Sequence, residues 1–421
     1  MAHVKIKCGY GVKGTIKISL KSLNQNIMFK HLFKLIWNKK KQNFLLMSEM
    51  LVSFLVIFAV FTLLVFYYNN YKKPMGLEYK NVWIINYNNS YKTNNTDSLN
   101  LYYETLKQAI KSLPQVQEVS STADNTPFTQ NTNTGGIMYH NRRTDGINWY
   151  TVDDNYKTVL NMQLLEGRWF NKADAVAKDK PIVINSDLRE KLFGKDNAVG
   201  KIIGDYDNKN KMRVIGVVQS LKVRGDYAPT SVGLYARTDT GSFRWLGKIL
   251  VKVSPDADAA FEGRLYKTLA NYMKNSDVEI EHLTDKRKSI NYFTLVPIIV
   301  MLIVACFLVI NVALGLFGVL WYNINKRRGE IGLRRAIGAS GASVSSQLVS
   351  ESLILATLSL IVGTFFAVQF PLLNVFDLPA GVYIVSMILS VLFIYLLVFV
   401  CSLYPGKQAA AIYPAVALHE D

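Results

Sequence analysis

KRRGEIGLRRAIGAS, Lys326 to Ser340, lies between two hydrophobic stretches that are each long enough to cross a bilayer. It carries five basic side chains and one acidic one, close to the membrane ends where the positive-inside bias acts, and this predicts a cytoplasmic loop. The loop also reads as a short helix. Glu330 falls in its first turn and Arg334 and Arg335 in its last, which suits the helix dipole, and Gly338 stands where a stop is expected. Held against the inner membrane face, such a helix is a natural contact for a cytosolic partner; the alternative reading is that these charges only fix topology.

Four apolar runs pass the length test of about 20 residues for a spanning helix. They cover Phe44–Tyr67, Leu295–Trp321, Leu348–Val368 and Val382–Leu403. The first is a membrane anchor, because its apolar stretch is longer than the roughly 7 to 15 residues of a signal-peptide core and lies well inside the chain. Residues 1–48 hold ten lysines and no Asp or Glu, whereas PLLNVFDLPAG between the third and fourth runs has one acid and no Lys or Arg. Both termini are therefore expected to be cytoplasmic. Residues 69–291 then lie outside, and much of the net charge of +17 is a topology signal that needs no nucleic-acid partner.

Ahead of the first span, Phe29, Leu32, Phe33, Ile36 and Trp37 form one helical stripe flanked by lysines. This fits an interfacial amphipathic helix on membrane lipids or, alternatively, a helix packed on protein. Met28 reads as the natural start, with residues 1–27 an extension.

The outer segment has no cysteine; Cys8, Cys306 and Cys401 fall in the leader and two spans, so no disulfide framework is expected. A β-α-β pattern occurs as EYKNVWIINY, SLNLYYETLKQAIKSL and VQEVSST, and again as KILVKVS, ADAAFEGRLYKTLANYMK and DVEIEHL. Two such units make a ferredoxin-like lobe. The turn-rich residues between them, about 127–245, predict an inserted β-rich lobe, and DKRKSINYF is expected to continue helically as a stalk. The fold class is thus an α+β membrane protein of four transmembrane helices, with a large two-lobed extracytoplasmic α/β domain between helices 1 and 2. The boundaries are 1–43 for the basic leader, 44–68 for the first helix, 69–291 for the outer domain and 292–421 for the remaining spans, loop and tail.

Catalytic motifs are not found. GKDNAVGKI, Gly194–Ile202, places five residues between its glycines where a P-loop has four, and no Ser or Thr follows Lys201. The five histidines are scattered without metal-ligand spacing, and neither HExxH nor GxSxG occurs. Polar residues in the spans are the remaining candidates, since a charge at mid-bilayer costs at least about 2.5 kcal/mol. These are Glu49, Asn311, Gln347 and Glu351. One reading has the glutamates pair with Arg or Lys at the inner boundary and Asn311 bond another helix; the other is a transport role.

RRGEIGLRRAIGAS followed by SSQLVSESLILATLSLIVG and, after the last span, YPGKQAAAIYPAVALH resembles the membrane subunits of the MacB/FtsX-like ABC transporter family. EGRWF, PIVINSDLREKLFG, AVGKII and MRVIGVV resemble its extracytoplasmic core domain, in that order. The resemblance implies a dimer, homo- or heteromeric, in the bacterial cytoplasmic (inner) membrane. Its outer domain moves when a separate cytosolic ABC ATPase hydrolyses ATP; the subunit itself is non-catalytic and binds no cofactor. The coupling segment carried over comprises Arg327, Arg328, Glu330, Ile331, Gly332, Arg334, Arg335, Ile337, Gly338 and Ser340, with Gln347 and Glu351 opening the next span. Pro405, Ala409, Pro414, Ala417 and Leu418 match the C-terminal pattern. Ile331 and Ile337 are expected to press into a partner groove, and Arg334 and Arg335 to face that partner or lipid phosphates. Export of a peptide, drug or lipid-like molecule through an adaptor and an outer-membrane channel, lipoprotein release, and regulation of a cell-wall hydrolase are the functions this implies.

Overall fold

The computed structural model describes residues 40–88, 93, 95–123, 125–130, 132–140, 142–205, 207, 210–239 and 245–413. The expected interfacial helix at residues 29–37, and Pro414, Ala417 and Leu418, lie outside them. The chain divides into two compact units, residues 66–300 and the remainder.

In the unit 66–300, apolar β-branched runs form strands and two amphipathic runs form helices. Strands β1 (Val82–Tyr87), β2 (Val116–Thr122), β10 (Lys248–Val253) and β11 (Val278–His282) lie in the order β11-β1-β10-β2, every neighbour antiparallel. This is the order of the split β-α-β fold expected from the two repeated units. The crossover helices are α2 (Thr96–Lys111) and α5 (Ala259–Tyr272). Each starts on a side-chain cap, Asn95 accepting from the Ser98 amide at 3.0 Å and Asp258 from the Phe261 amide at 2.8 Å. Leu99, Tyr103, Leu106 and Ile110 on α2 and Phe261, Leu265 and Leu269 on α5 repeat at helical spacing. They pack on Trp83, Ile85, Ile249 and Val251. The alternate residues Val82, Ile84 and Leu250 face a second core with Tyr150, Tyr156 and Tyr235, so the period-2 strands bury both faces.

The inserted residues contribute β3 (Thr134–Tyr139), β4 (Arg142–Val152), β5 (Leu164–Gly167), β6 (Lys180–Asn185), β7 (Ile202–Asp205), β8 (Lys211–Val218) and β9 (Gly233–Arg237), with helices α3 (Tyr156–Val159) and α4 (Ser186–Phe193). Six of these strands follow the order β4-β3-β7-β8-β6-β9, which closes through a parallel β4–β9 pairing, while β5 pairs with β8 off this path. Closure removes the sheet edges that an insert would otherwise expose. The two lobes share one eleven-stranded sheet through a single β2–β4 pair, Thr122 opposite Val152. Asp153, next in the chain, reinforces that junction. Its carboxylate accepts from Ser120 Oγ at 2.6 Å, the Ser121 amide at 3.0 Å and Lys107 Nζ at 3.3 Å. Burial pushes this carboxyl above its ordinary range, against the opposing pull of Lys107 and those donors.

The other unit, residues 1–65 and 301–421, holds the greater part of the membrane-length helices. The four that are long and apolar enough to cross a membrane are α1 (Lys40–Tyr71), α6 (Leu283–Lys326), α8 (Gly341–Leu372) and α9 (Ala380–Ala410). α6 takes in DKRKSINYF as one helix with the second span. Small residues bring helices together here: Ser352 and Ser359 on α8 and Ser386 and Ser390 on α9 are buried, each hydroxyl donating to the carbonyl four residues back. Gly363 on α8 leaves room for α1. A Cβ there would stand 2.5 Å from the Phe54 ring. Gly363→Leu is therefore expected to separate α1 from α8 and cost about 1–3 kcal/mol, read as a lower melting temperature in detergent with insertion unchanged; an unaltered melt refutes this packing.

Candidate functional site

The candidate coupling segment folds as α7 (Arg328–Ala336), nine residues joining α6 to α8. Glu330 meets Arg334 at 2.5 Å one turn on, and Arg327 at 2.9 Å one turn back. Gly338, at φ +103°, turns the chain out of the helix in a conformation that favours glycine. Ser340 then caps α8, its hydroxyl accepting from the Ser343 amide at 3.2 Å.

Two kinds of contact brace α7. The apolar one is Ile331, buried with Ile324, Val344, Leu348 and Ala409 from the ends of α6, α8 and α9, with Gly332 buried beside it. The polar one is a closed ring. Arg334 donates to Gln347 Oε1 at 2.9 Å, Gln347 Nε2 donates to Glu351 Oε1 at 3.0 Å, and Glu351 lies 3.7 Å from Arg327 Nη1. Arg327 and Arg334 both return to Glu330. Hydrogen bonding to Glu330 raises Arg327 above the usual guanidinium range. Arg335 lies outside the ring and donates to the carbonyl oxygen of Ala410, capping the last turn of α9.

This geometry corrects the expected orientations. Arg334 and Arg335 are occupied within the unit, tied to α8 and α9. Ile331 faces inward, whereas Ile337 is 77% exposed. Six residues advance a helix by about 600°, which puts positions 331 and 337 on different faces. The partner of Ile337 on the outer face is Leu333, four residues before it and 51% exposed, a residue that helical spacing alone could have supplied. Arg328 opens α7 and is half-buried.

The intramembrane polar residues also divide. Gln347 and Glu351 belong to the ring. Among the described residues, Asn311 donates to the Phe307 carbonyl of its own helix at 2.8 Å, not to another helix. Glu49 packs where a Cβ on Gly315 would stand 2.6 Å from its carboxylate, and among the described residues no basic group pairs with it. Among the described residues, no three His, Cys, Asp or Glu side chains converge as metal ligands would.

Residues 44–265 match the MacB-like periplasmic core domain and residues 290–414 the FtsX-like permease C-terminal domain. A macrolide export ATP-binding/permease protein MacB 1/2 of Paracoccus denitrificans (strain Pd 1222) is 28% identical over 52% of this chain and 34% of its own length. An uncharacterized ABC transporter permease, YknZ of Bacillus subtilis (strain 168), is 20% identical over 67% of this chain and 72% of its own length. The solved periplasmic region of MacB from Actinobacillus actinomycetemcomitans is similar at 20% identity and a TM-score of 0.38, covering 53% of this chain and 98% of that one. The chain spans 34% and 37% of the length of the first two MacB relatives.

Proposed function

Since the chain belongs to the MacB/FtsX-like family of ABC transporter permeases, a multi-pass membrane subunit of the inner membrane, we propose that it transmits ATP hydrolysis by a separate cytosolic ABC ATPase to movement of its outer domain. The polar ring that bolts α7 to α8, with Arg335 fastening α7 to α9, carries this reading. A helix fixed at this many points passes a push on its free face into two membrane helices with little loss of direction. Its apolar free face, Leu333 and Ile337, is the surface offered to the ATPase; in this reading α7 and both termini are cytosolic, which the lysine-rich leader supports. A separate ATPase is supported by the likeness, across 72% of its length, to a protein named as an ABC transporter permease, whereas the MacB relatives are named as ATP-binding/permease proteins and match over about a third of theirs. A second permease subunit completes the assembly. The MacB relatives, named for macrolide export, favour export of a drug, peptide or lipid-like molecule through an adaptor and an outer channel.

Leu333→Glu with Ile337→Glu tests this directly, because both side chains are outside the core and the ring stays intact. ATPase affinity is expected to fall roughly five- to thirtyfold, on the scale of about 1 to 2 kcal/mol for losing interface anchors, with membrane insertion and melting temperature unchanged. Normal ATPase binding and hydrolysis in this variant would defeat the coupling assignment.

A further inference from the structure

The loop after β8, Gln219–Tyr227 (QSLKVRGDY), has no counterpart in any motif read from the sequence, yet it holds an unusual concentration of buried charge. Lys222 is 1% exposed. Its ammonium donates to the carbonyl oxygens of Asn70, of Asp226 at 3.1 Å and of Tyr71 at 3.5 Å, which uses all three of its protons. Asn70 and Tyr71 are the last residues of α1, where unpaired carbonyls and the negative end of the helix dipole favour a cation. Tyr227 adds an aromatic contact, stacking on Tyr71 with ring centres 5.7 Å apart.

Four residues beyond Lys222, the same loop grips α6. Asp226, 7% exposed, accepts from Arg287 Nε at 2.9 Å and Nη2 at 2.6 Å, and from Asn291 Nδ2 at 2.8 Å. Its amide donates to Asn291 Oδ1 at 2.9 Å. Arg287 also lies 4.4 Å over the ring of Tyr79, which follows α1 in the chain.

Two glycines make the fit possible on either side. Gly76, at φ +78°, would bring a Cβ within 2.8 Å of the Ser220 carbonyl; Gly225, at φ +92°, would bring one within 2.4 Å of Asn291 Oδ1. Both positions combine a left-handed backbone with a close approach that excludes any side chain. The loop is thus seated against the exit of α1 and the entry of α6 at once.

We propose that this loop is a clamp joining the end of α1 to the start of α6, with Lys222 and Asp226 as its positioning residues. It makes the two helices that frame the outer domain act on that domain as one piece. The proposal rests on the coupling function above for its purpose, but its mechanics are testable without any ATPase.

The experiment is hydrogen exchange on the full chain in lipid nanodiscs, comparing the native protein with Lys222→Met, Asp226→Asn and the double variant. Each single change removes hydrogen bonds to a charged group, so exchange is expected to rise about tenfold. A clamp predicts that rise at both helix ends, residues 66–73 and 285–292, whichever side is altered. The double variant should then exceed the larger single only slightly, as coupled sites do, and amides of β1 and β10 should keep their protection. If each variant loosens only the helix it touches and the two effects multiply, the residues are local supports and the clamp is wrong. Should Lys222→Met fail to insert, Gly225→Ala pries the loop from the α6 side and must likewise speed exchange at the end of α1; acceleration confined to α6 overturns the proposal. Because no nucleotide is involved, failure here leaves the Leu333/Ile337 test of coupling untouched, and failure there leaves this one untouched.

Discussion

Replacing Arg334 and Arg335 together by glutamate is expected to yield an inserted protein in which ATP hydrolysis no longer drives the outer domain. Arg334 holds Gln347 and Glu330, and Arg335 holds the Ala410 carbonyl. Losing hydrogen bonds to charged groups costs about 1.5 to 3 kcal/mol apiece, and discounting for partial exposure leaves roughly 3 kcal/mol, or about a hundredfold in the population of seated α7. The new carboxylates would also face Glu330 and the negative end of α9, adding repulsion. The expected reading is fast amide exchange across α7 together with loss of stimulated ATP hydrolysis, the lysine-rich leader still orienting the first span. The mechanism differs from that of Leu333→Glu with Ile337→Glu: there the partner is lost from a seated helix, here the helix leaves its seat. If the arginine variant keeps α7 protected and hydrolysis stimulated, the polar ring carries no load.

Much of this was legible because it is periodic. Leu99, Tyr103, Leu106 and Ile110 repeat at helical spacing, Val82 to Ile85 fill two faces of a strand, and the membrane helices are long apolar runs. Those patterns need only local geometry. The family resemblance likewise rested on contiguous words such as RRGEIGLRRAIGAS. What could not be read were contacts between residues far apart in sequence, each built from ordinary residue types. Closure of the inserted strands depends on β4 meeting β9 about 85 residues later in parallel register, Trp149 beside Leu234. Arg335 and Ala410 are 75 apart, and nothing in RRAIGAS announces that one of its arginines caps another helix. The assumption that two adjacent loop arginines point outward follows from the average surface behaviour of charge; here helix ends supplied acceptors that made an inward position favourable.

The loop at 219–227 changes what a soluble version of the outer domain should contain. The β-α-β units lie within residues 76–286, and a fragment with those bounds is expected to fold, because both cores lie inside it and it has no cysteine. Yet it would omit Asn70 and Tyr71 on one side and Arg287 and Asn291 on the other. Asp226 would lose its guanidinium partner and Lys222 two of its three acceptors. Removing one partner of a buried pair costs about 3 to 5 kcal/mol, and the lower figure applies because truncation also lets water reach the loop. In a domain of this size, each kcal/mol shifts the melting temperature by about 2 to 4 °C, so the fragment 76–286 should melt roughly 10 °C below one comprising 66–292. Thermal circular dichroism on the two fragments decides the matter. Lys222→Met should lower the melting point of the longer fragment substantially and that of the shorter one little, since the shorter lacks most of what the lysine holds. Equal melting points for the two fragments would mean that the helix ends add nothing to the outer domain, and that the buried lysine and aspartate are satisfied as well by solvent as by α1 and α6.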